Sequence, residues 1–185
     1  MFRLGALIAT SASARPDLLA RPTFDLLAAE GLLEEVGVVE IDPALSDTSA
    51  TSARYDLSDE FLANCVIVGG KRDGVAKTAA VVVLASTRAD INNTVKRMLD
   101  VRKASFLPMD EAVRVTEMEF GGITPVGMPA DWPIFVDSRV IESDLVVIGS
   151  GVRRSKIILP GAVLARVPGT RVVEGLGLRV GVPEQ

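Results

Sequence analysis

Gly121-Gly122-Ile123-Thr124-Pro125-Val126-Gly127-Met128-Pro129 places three glycines and two prolines in nine positions, which excludes a regular helix or a central strand there. Glycine permits φ > 0 and close approach of the backbone to a ligand, while proline fixes φ and removes a donor. A loop of this kind presents backbone N–H groups at a fixed point, an arrangement suited to an ester carbonyl or a phosphate. The same composition also makes a tight surface turn, so the flanks decide between the two.

Upstream of the loop, Met109–Met118 reads as a helix entered after Pro108. Asp90 is placed to cap a helix running through Leu99, with Ile91, Val95, Met98 and Leu99 facing inward. Lys103–Phe106 is a brief strand. Two apolar runs, Asn64–Val68 and Ala79–Leu84, form a hairpin across the glycine-rich connection Gly69–Gly74. Earlier still, Pro22–Val36 has a helical apolar period (Phe24, Leu26, Leu27, Leu32, Leu33), and Val36–Ile41 reads as a strand. Ser46–Ala53 is a loop or a short helix.

Downstream come the strands Ile134–Val136, Leu145–Ile148 and Lys156–Leu159, a short helix Ala162–Val167 and a last strand Arg171–Val173. The tail beyond Gly175 is glycine-rich and is expected to fray. Strands outnumber helices and short turns join several of them. The pattern favours a mixed α+β fold, a curved barrel-like sheet flanked by helices, over alternating βαβ units.

At 185 residues the chain is expected to form one domain, residues 1–185 with a core over about 20–175. A domain of this size buries about 70% of its unfolded surface and needs no staples. The apolar stretch Leu4–Ala9 is shorter than a signal-peptide core and far short of a membrane span. One cysteine excludes an internal disulfide framework and fits a cytoplasmic protein. Cys65 lies in the apolar run Cys65-Val66-Ile67-Val68 and reads as a buried structural thiol.

The net charge of −4 argues against indiscriminate nucleic-acid binding, and neither DNA nor a membrane is an expected partner. Local basic faces remain: Arg88–Lys103 carries a balance of +3, and Arg153, Arg154 and Lys156 form a second cluster. Solvated surface and phosphate contacts both fit these clusters. The chain contains no histidine, which removes Ser-His-Asp and Cys-His catalysis and the common His-based zinc sites. No metal or cofactor is expected.

The run Val146-Val147-Ile148-Gly149-Ser150-Gly151 opens like a dinucleotide fingerprint but has Arg154 at the third glycine position, and only 34 residues follow. What survives is a cluster of loops. The glycine loop, Gly149-Ser150-Gly151 and the first hairpin are expected to converge on one pocket in which backbone amides act on an activated ester.

The order of these pieces resembles the YbaK/prolyl-tRNA synthetase-associated (aminoacyl-tRNA editing) domain family over roughly residues 20–175. The resemblance rests on the hairpin, Thr87-Arg88-Ala89-Asp90-Ile91, Lys103–Phe106, Asp110-Glu111-Ala112-Val113, the glycine loop, Phe135-Val136-Asp137 and Val147–Gly151. It implies a hydrolase that deacylates mischarged tRNA, with the aminoacyl-tRNA 3′ end as partner and a synthetase as a second candidate partner. Monomer and homodimer stay open. Family members begin the first hairpin strand with a lysine; the matching position here is Asn64, and Lys77-Thr78 comes one strand too late. Relatives also carry an acid near the position of Lys156.

On this resemblance the expected catalytic residues are Asn64, Gly121, Gly122 and Gly127. Ile123, Thr124, Pro125, Val126, Met128, Gly149, Ser150, Gly151 and Lys77 are expected to bind the substrate, and Arg88, Arg97 and Arg153 the tRNA. A non-catalytic module of the same fold that binds an aminoacyl or nucleotide group is the alternative, favoured by the loss of the lysine. A structural partner of a synthetase or ribosomal factor is a third.

Overall fold

A computed structural model describes residues 2–179. The chain opens with a hairpin, β1 (Phe2–Leu4) and β2 (Leu7–Ser11), turned by Gly5 at φ +55°. The apolar Leu4–Ala9 stretch is therefore the turn and inner ends of this hairpin, with Leu7 and Ala9 buried. Helix α1 (Arg21–Ala29) follows, then β3 (Gly37–Glu40) and α2 (Thr48–Tyr55).

The long hairpin is β4 (Ala63–Arg72) and β5 (Val75–Leu84), continued by β6 (Thr87–Ala89), a π turn over Ile91–Val95 and α3 (Lys96–Leu99). Next come β7 (Ala104–Phe106) and α4 (Met109–Thr116), and after the glycine loop β8 (Ile134–Asp137) and α5 (Ser138–Ile141). The chain continues as β9 (Val146–Gly149), β10 (Ser155–Leu159), α6 (Gly161–Leu164), β11 (Thr170–Val173) and β12 (Gly177–Arg179).

Two five-stranded sheets carry the molecule, in the orders β1-β2-β3-β10-β9 and β11-β8-β5-β4-β7. The first is antiparallel throughout; the second pairs β11 with β8 and β8 with β5 in parallel. A bridge between Leu62 and Val147 joins them, so the sheets curl around one core in a half-barrel. This is the mixed α+β, barrel-like architecture read from the sequence.

Alternation along β4 and β5 sends Ile67, Ala80 and Val82 into that core, with Leu27, Ile148 and Ile157. Val68, Ala79, Val81 and Val83 face the other way, onto Val95 and Leu99 of the π turn and α3. Both faces of the second sheet are therefore covered. Among the described residues no helix is long and apolar enough to cross a membrane.

Three element ends depart from the sequence reading, each for a backbone reason. The helix expected to reach Val36 stops at Ala29 because Gly31 adopts φ +68° and turns the chain back, with Leu32 and Val36 buried. The Met109–Met118 helix ends at Thr116, where Glu117 takes a left-handed φ of +55°. The hairpin connection shrinks to Asp73-Gly74, both at positive φ as a two-residue hairpin turn requires. Asp90 does cap the next helix, accepting from the Asn93 and Thr94 amides.

The fraying expected beyond Gly175 is corrected as far as Arg179. Leu176 is fully buried, and β12 pairs with β6. Asp137, fully buried, accepts the Gly177 amide at 2.6 Å and the Arg139 guanidinium at 2.8 and 2.9 Å, which pins this strand to β8. These bonds to Arg139 and Gly177 outweigh burial and hold the Asp137 carboxyl below the usual carboxylate range. The rest of that tail, 180–185, lies outside the described residues.

Candidate active site

The glycine loop and the Gly149-Ser150-Gly151 turn lie against each other, stitched by backbone. The Glu119 amide donates to the Gly151 carbonyl at 2.8 Å, the Gly151 amide to the Gly122 carbonyl at 2.7 Å, and the Gly122 amide to the Glu119 carbonyl at 2.9 Å. Contact this close needs glycine. A Cβ on Gly122 would stand 2.6 Å from the Val152 backbone, and one on Gly149 would meet the carbonyl oxygens of Gly122 and Ile123.

In front of this junction is a pocket of about 200 Å³, lined by Ser46, Asp47, Thr48, Ala63, Asn64, Cys65, Met109, Phe120, Gly121, Ile123, Gly149 and Lys156. It is smaller than the roughly 300–1,000 Å³ typical of drug-sized ligands, and suits the end of a molecule rather than the whole. Four residues singled out from the sequence meet here: Asn64, Gly121, Ile123 and Gly149. The first hairpin strand, the glycine loop and β9 do converge.

Other expected site residues are elsewhere. The Gly122 amide is spent inside the turn, so it is not a free donor. Gly127, at φ +92°, packs against α1, where a Cβ would stand 2.5 Å from the Pro22 carbonyl. Thr124, Pro125, Val126 and Met128 are buried, and the Val126 carbonyl accepts from Thr23 Oγ1. These four are core of the loop rather than pocket wall. Ser150 is fully buried and bonded to Ser155, and the Gly151 N–H and C=O are both committed.

Lys77 stands opposite Gly70, six residues along β4 from Asn64 and so about 20 Å away at the strand rise of ~3.3 Å. Its Nζ pairs with Asp100 at 3.1 Å. Arg88 and Arg97 are exposed on the β6 and α3 layer, behind the sheet from the pocket.

Arg153 lies beside the pocket and braces it. Its guanidinium donates to the carbonyls of Phe120 at 3.1 Å and Pro43 at 3.2 Å, and sits 5.4 Å from the Phe120 ring centroid. Arg154 turns outward toward Asp17 and Glu40. Lys156 turns inward and is buried. The three bases read as one surface cluster thus have three different placements.

Asn64 is held by Thr48, whose hydroxyl donates to Asn64 Oδ1 at 2.5 Å. Cys65 forms part of the wall, half-buried rather than fully enclosed, and burial pushes its thiol up to about 12. It is no thiolate at neutral pH.

The sequence reading did not place Ser46, Asp47, Thr48, Ala63, Cys65, Met109, Phe120 or Lys156 in the pocket. Lys156 carried a signal: it is a charge at the head of Ile157-Ile158-Leu159, in a strand buried along its whole length. Phe120 carried one too, as an aromatic side chain preceding Gly121 that stays half exposed at 51%. Ser46 Oγ is buried and finds no hydrogen-bond partner among the described residues, which no sequence pattern announces.

Among the described residues no group of three or more His, Cys, Asp or Glu side chains is placed to hold a metal ion. The pocket's chemical equipment is a lysine, hydroxyls, an amide side chain and backbone N–H groups. Among the described residues the Gly121 N–H has no protein partner. Such a set can hold a polar ester group and stabilise negative charge on its oxygen.

Known proteins share both sequence pattern and fold with this chain. A crystal structure described as a candidate trans-editing enzyme for prolyl tRNA synthetase superposes with a TM-score of 0.71 at 18% identity, covering 88% of this chain and 97% of that one. The structure of the hypothetical protein APE2540 gives 0.73 at 20% identity, covering 85% and 99%. At such identities the likeness is one of fold. Among curated protein sequences none matches. The aminoacyl-tRNA editing domain profile matches residues 42–167, well over half of the chain and the whole of the pocket just described, and the protein belongs to the aminoacyl-tRNA editing domain family.

Proposed function

We propose that this protein is a freestanding trans-editing hydrolase that deacylates mischarged aminoacyl-tRNA, with tRNA(Pro)-type substrates foremost. The observation that carries the reading is the convergence of Asn64, Gly121, Ile123 and Gly149 on one small pocket within an editing-domain fold. Phe120 and Met109, half exposed beside it, offer an apolar seat for the terminal adenosine. The aminoacyl ester then points inward, and Asn64 replaces the family lysine as a neutral hydrogen-bonding group toward the ribose or its phosphate. Water attacks the ester carbonyl while the Gly121 N–H faces the oxygen that gains charge. The reaction runs on protein groups and water, in the compartment where tRNA is charged.

Synthetases that select small amino acids need such a partner. One methylene changes binding by only about 1–3 kcal/mol, so errors pass and a second, smaller sieve removes them. Ala63, Cys65 and Ile123 would set the width of that sieve. The test is the release of amino acid from alanyl-, cysteinyl- and prolyl-tRNA(Pro); loss at the buffer rate from all three would remove the enzyme reading.

A binding module is the second reading, favoured by the neutral Asn64 tied to Thr48 where family members carry a lysine. Asn64→Lys separates the two. Equal tRNA affinity in both forms, with hydrolysis only in the variant, would make the natural protein a binder.

A further inference from the structure

We propose that Lys156 Nζ and Ser46 Oγ together hold the ester oxygen on which negative charge develops during hydrolysis, which makes Lys156 the catalytic cation of the pocket. The proposal rests on the deacylase reading above and adds to it the residues that carry the charge.

Lys156 sits on β10, where every residue is buried, and is itself only 7% exposed. A lysine ammonium has three N–H donors. Here one is used, toward the Ser46 carbonyl at 2.6 Å, and among the described residues no carboxylate lies within ion-pair distance. A buried charge without a carboxylate partner costs several kcal/mol, roughly, which a purely structural position has no reason to retain. The remaining donors belong to a residue that lines the pocket.

Ser46 supplies a second, independent observation. It is 2% exposed, and its Oγ has no hydrogen-bond partner among the described residues. Ser46 lines the same pocket, and its Oγ lies 2.9 Å from the point where a Cβ on Gly121 would stand. Lys156 Nζ, bonded to the Ser46 carbonyl, and Ser46 Oγ, beside Gly121, are thus brought together at one residue of the pocket wall.

Of the neighbouring groups, Arg153 is bound to the Phe120 and Pro43 carbonyls, and Asn64 is held through its side-chain oxygen by Thr48 on the ribose side of the pocket; the Gly121 N–H is the backbone donor that joins Lys156 and Ser46. The charge state agrees with the role. Burial lowers Lys156 from 10.5 to about 8, Asp47 pulling it up and Arg153 pushing it down, so it is mostly protonated at neutral pH.

In the step itself, water oxygen bonds to the ester carbon and the carbonyl π pair moves onto oxygen, where Lys156 N–H and Ser46 O–H receive it. The attacking water gives one proton to solvent. The pair then returns to re-form the carbonyl, the bond to the ribose oxygen breaks, and that oxygen takes a proton from solvent. The products are a free amino acid and a tRNA with an intact terminal diol.

The test uses two non-hydrolysable adenosine ligands with alanine-like groups at the 3′ position. One is a planar carboxamide and the other a tetrahedral, anionic phosphonamidate. Calorimetry on the wild type, Lys156→Met and Ser46→Ala gives the affinities. Lys156→Met should weaken the phosphonamidate on the order of a hundredfold while moving the carboxamide less than about threefold, the discrimination of an oxyanion site. Ser46→Ala should give a smaller loss in the same direction, and it serves alone if Lys156→Met misfolds by circular dichroism. Equal effects on both ligands, or none, would overturn the proposal. Turnover of mischarged tRNA by the wild type is measured separately, so that failure of the deacylase reading and failure of the Lys156 assignment are distinguishable.

Discussion

Lys156 Nζ donates a 2.6 Å hydrogen bond to the Ser46 carbonyl, joining a buried strand to the residues that precede α2 across the pocket. The bond offsets only part of the cost of burying the ammonium, and the remainder is a stability penalty with a defined pH window. The folded-state value is about 8 against 10.5 for a free lysine. Below about 8 both states are protonated and the penalty is complete; it is relieved as pH rises from about 8 to 10.5, where the unfolded chain binds the extra proton.

Lys156→Met should therefore raise stability at pH 7, by up to roughly 3 kcal/mol from the ~1.4 kcal/mol per pKa unit relation. The gain over wild type should shrink toward zero by pH 10.5. Urea melts of both proteins at pH 7 and pH 10 check this, and a variant less stable than wild type at pH 7 would contradict it.

Phe120 is half exposed at the pocket and lies under the Arg153 guanidinium. If it seats the terminal adenine, Phe120→Ala should cost about 1–3 kcal/mol of binding, the usual worth of one stacked base. KM for the tRNA should rise accordingly with kcat little changed. An unaltered KM would place the adenosine elsewhere.

Gly149→Ala puts a methyl group against the carbonyl oxygens of Gly122 and Ile123, backbone atoms that cannot swing aside. The expected loss is about 1–3 kcal/mol of stability with a displaced loop. Gly74→Ala, at φ +84° with open space around it, is the control for backbone strain alone. Thermal melts of the two variants compare collision with strain.

Asp137 is fully buried and bonded to Arg139 and Gly177. Asp137→Asn should cost about 1.5–3 kcal/mol, the worth of hydrogen bonds to a charged group, because the partly exposed Arg139 guanidinium loses its carboxylate. Since the folded-state pKa is lowered, the contribution is present above the ordinary aspartate value of 3.8 and is lost as pH falls through the folded value below it. Acid unfolding of the wild type should therefore include release of β12, seen as early exchange of the Gly177 amide. Protection of that amide after the rest has exchanged would contradict the assignment.

Much of this fold was legible because local chemistry and tertiary structure agree. The hairpin around Asp73-Gly74, the Asp90 cap and the strands after the glycine loop all follow from turn residues and apolar runs. Helix ends were less legible, since the left-handed residue that stops α4 is a glutamate, Glu117, rather than a glycine.

The pocket was half legible. Glycine content announced the loop, but not which glycines pack against backbone and which face a ligand; that depends on Val152 and Pro22, thirty and more than a hundred residues away. Lys156 was hidden by its neighbours, because Arg153 and Arg154 made it look like one more surface base. Only burial separates the three.

The deacylase reading is tested most directly by the rate at which ester-linked alanine leaves alanyl-tRNA(Pro) in the presence of stoichiometric protein. First-order loss faster than the buffer rate is expected with wild-type protein, and loss about a hundredfold slower with Lys156→Met, the scale of removing one oxyanion donor. Decay at the buffer rate with wild-type protein on alanyl-, cysteinyl- and prolyl-tRNA(Pro) alike would contradict it.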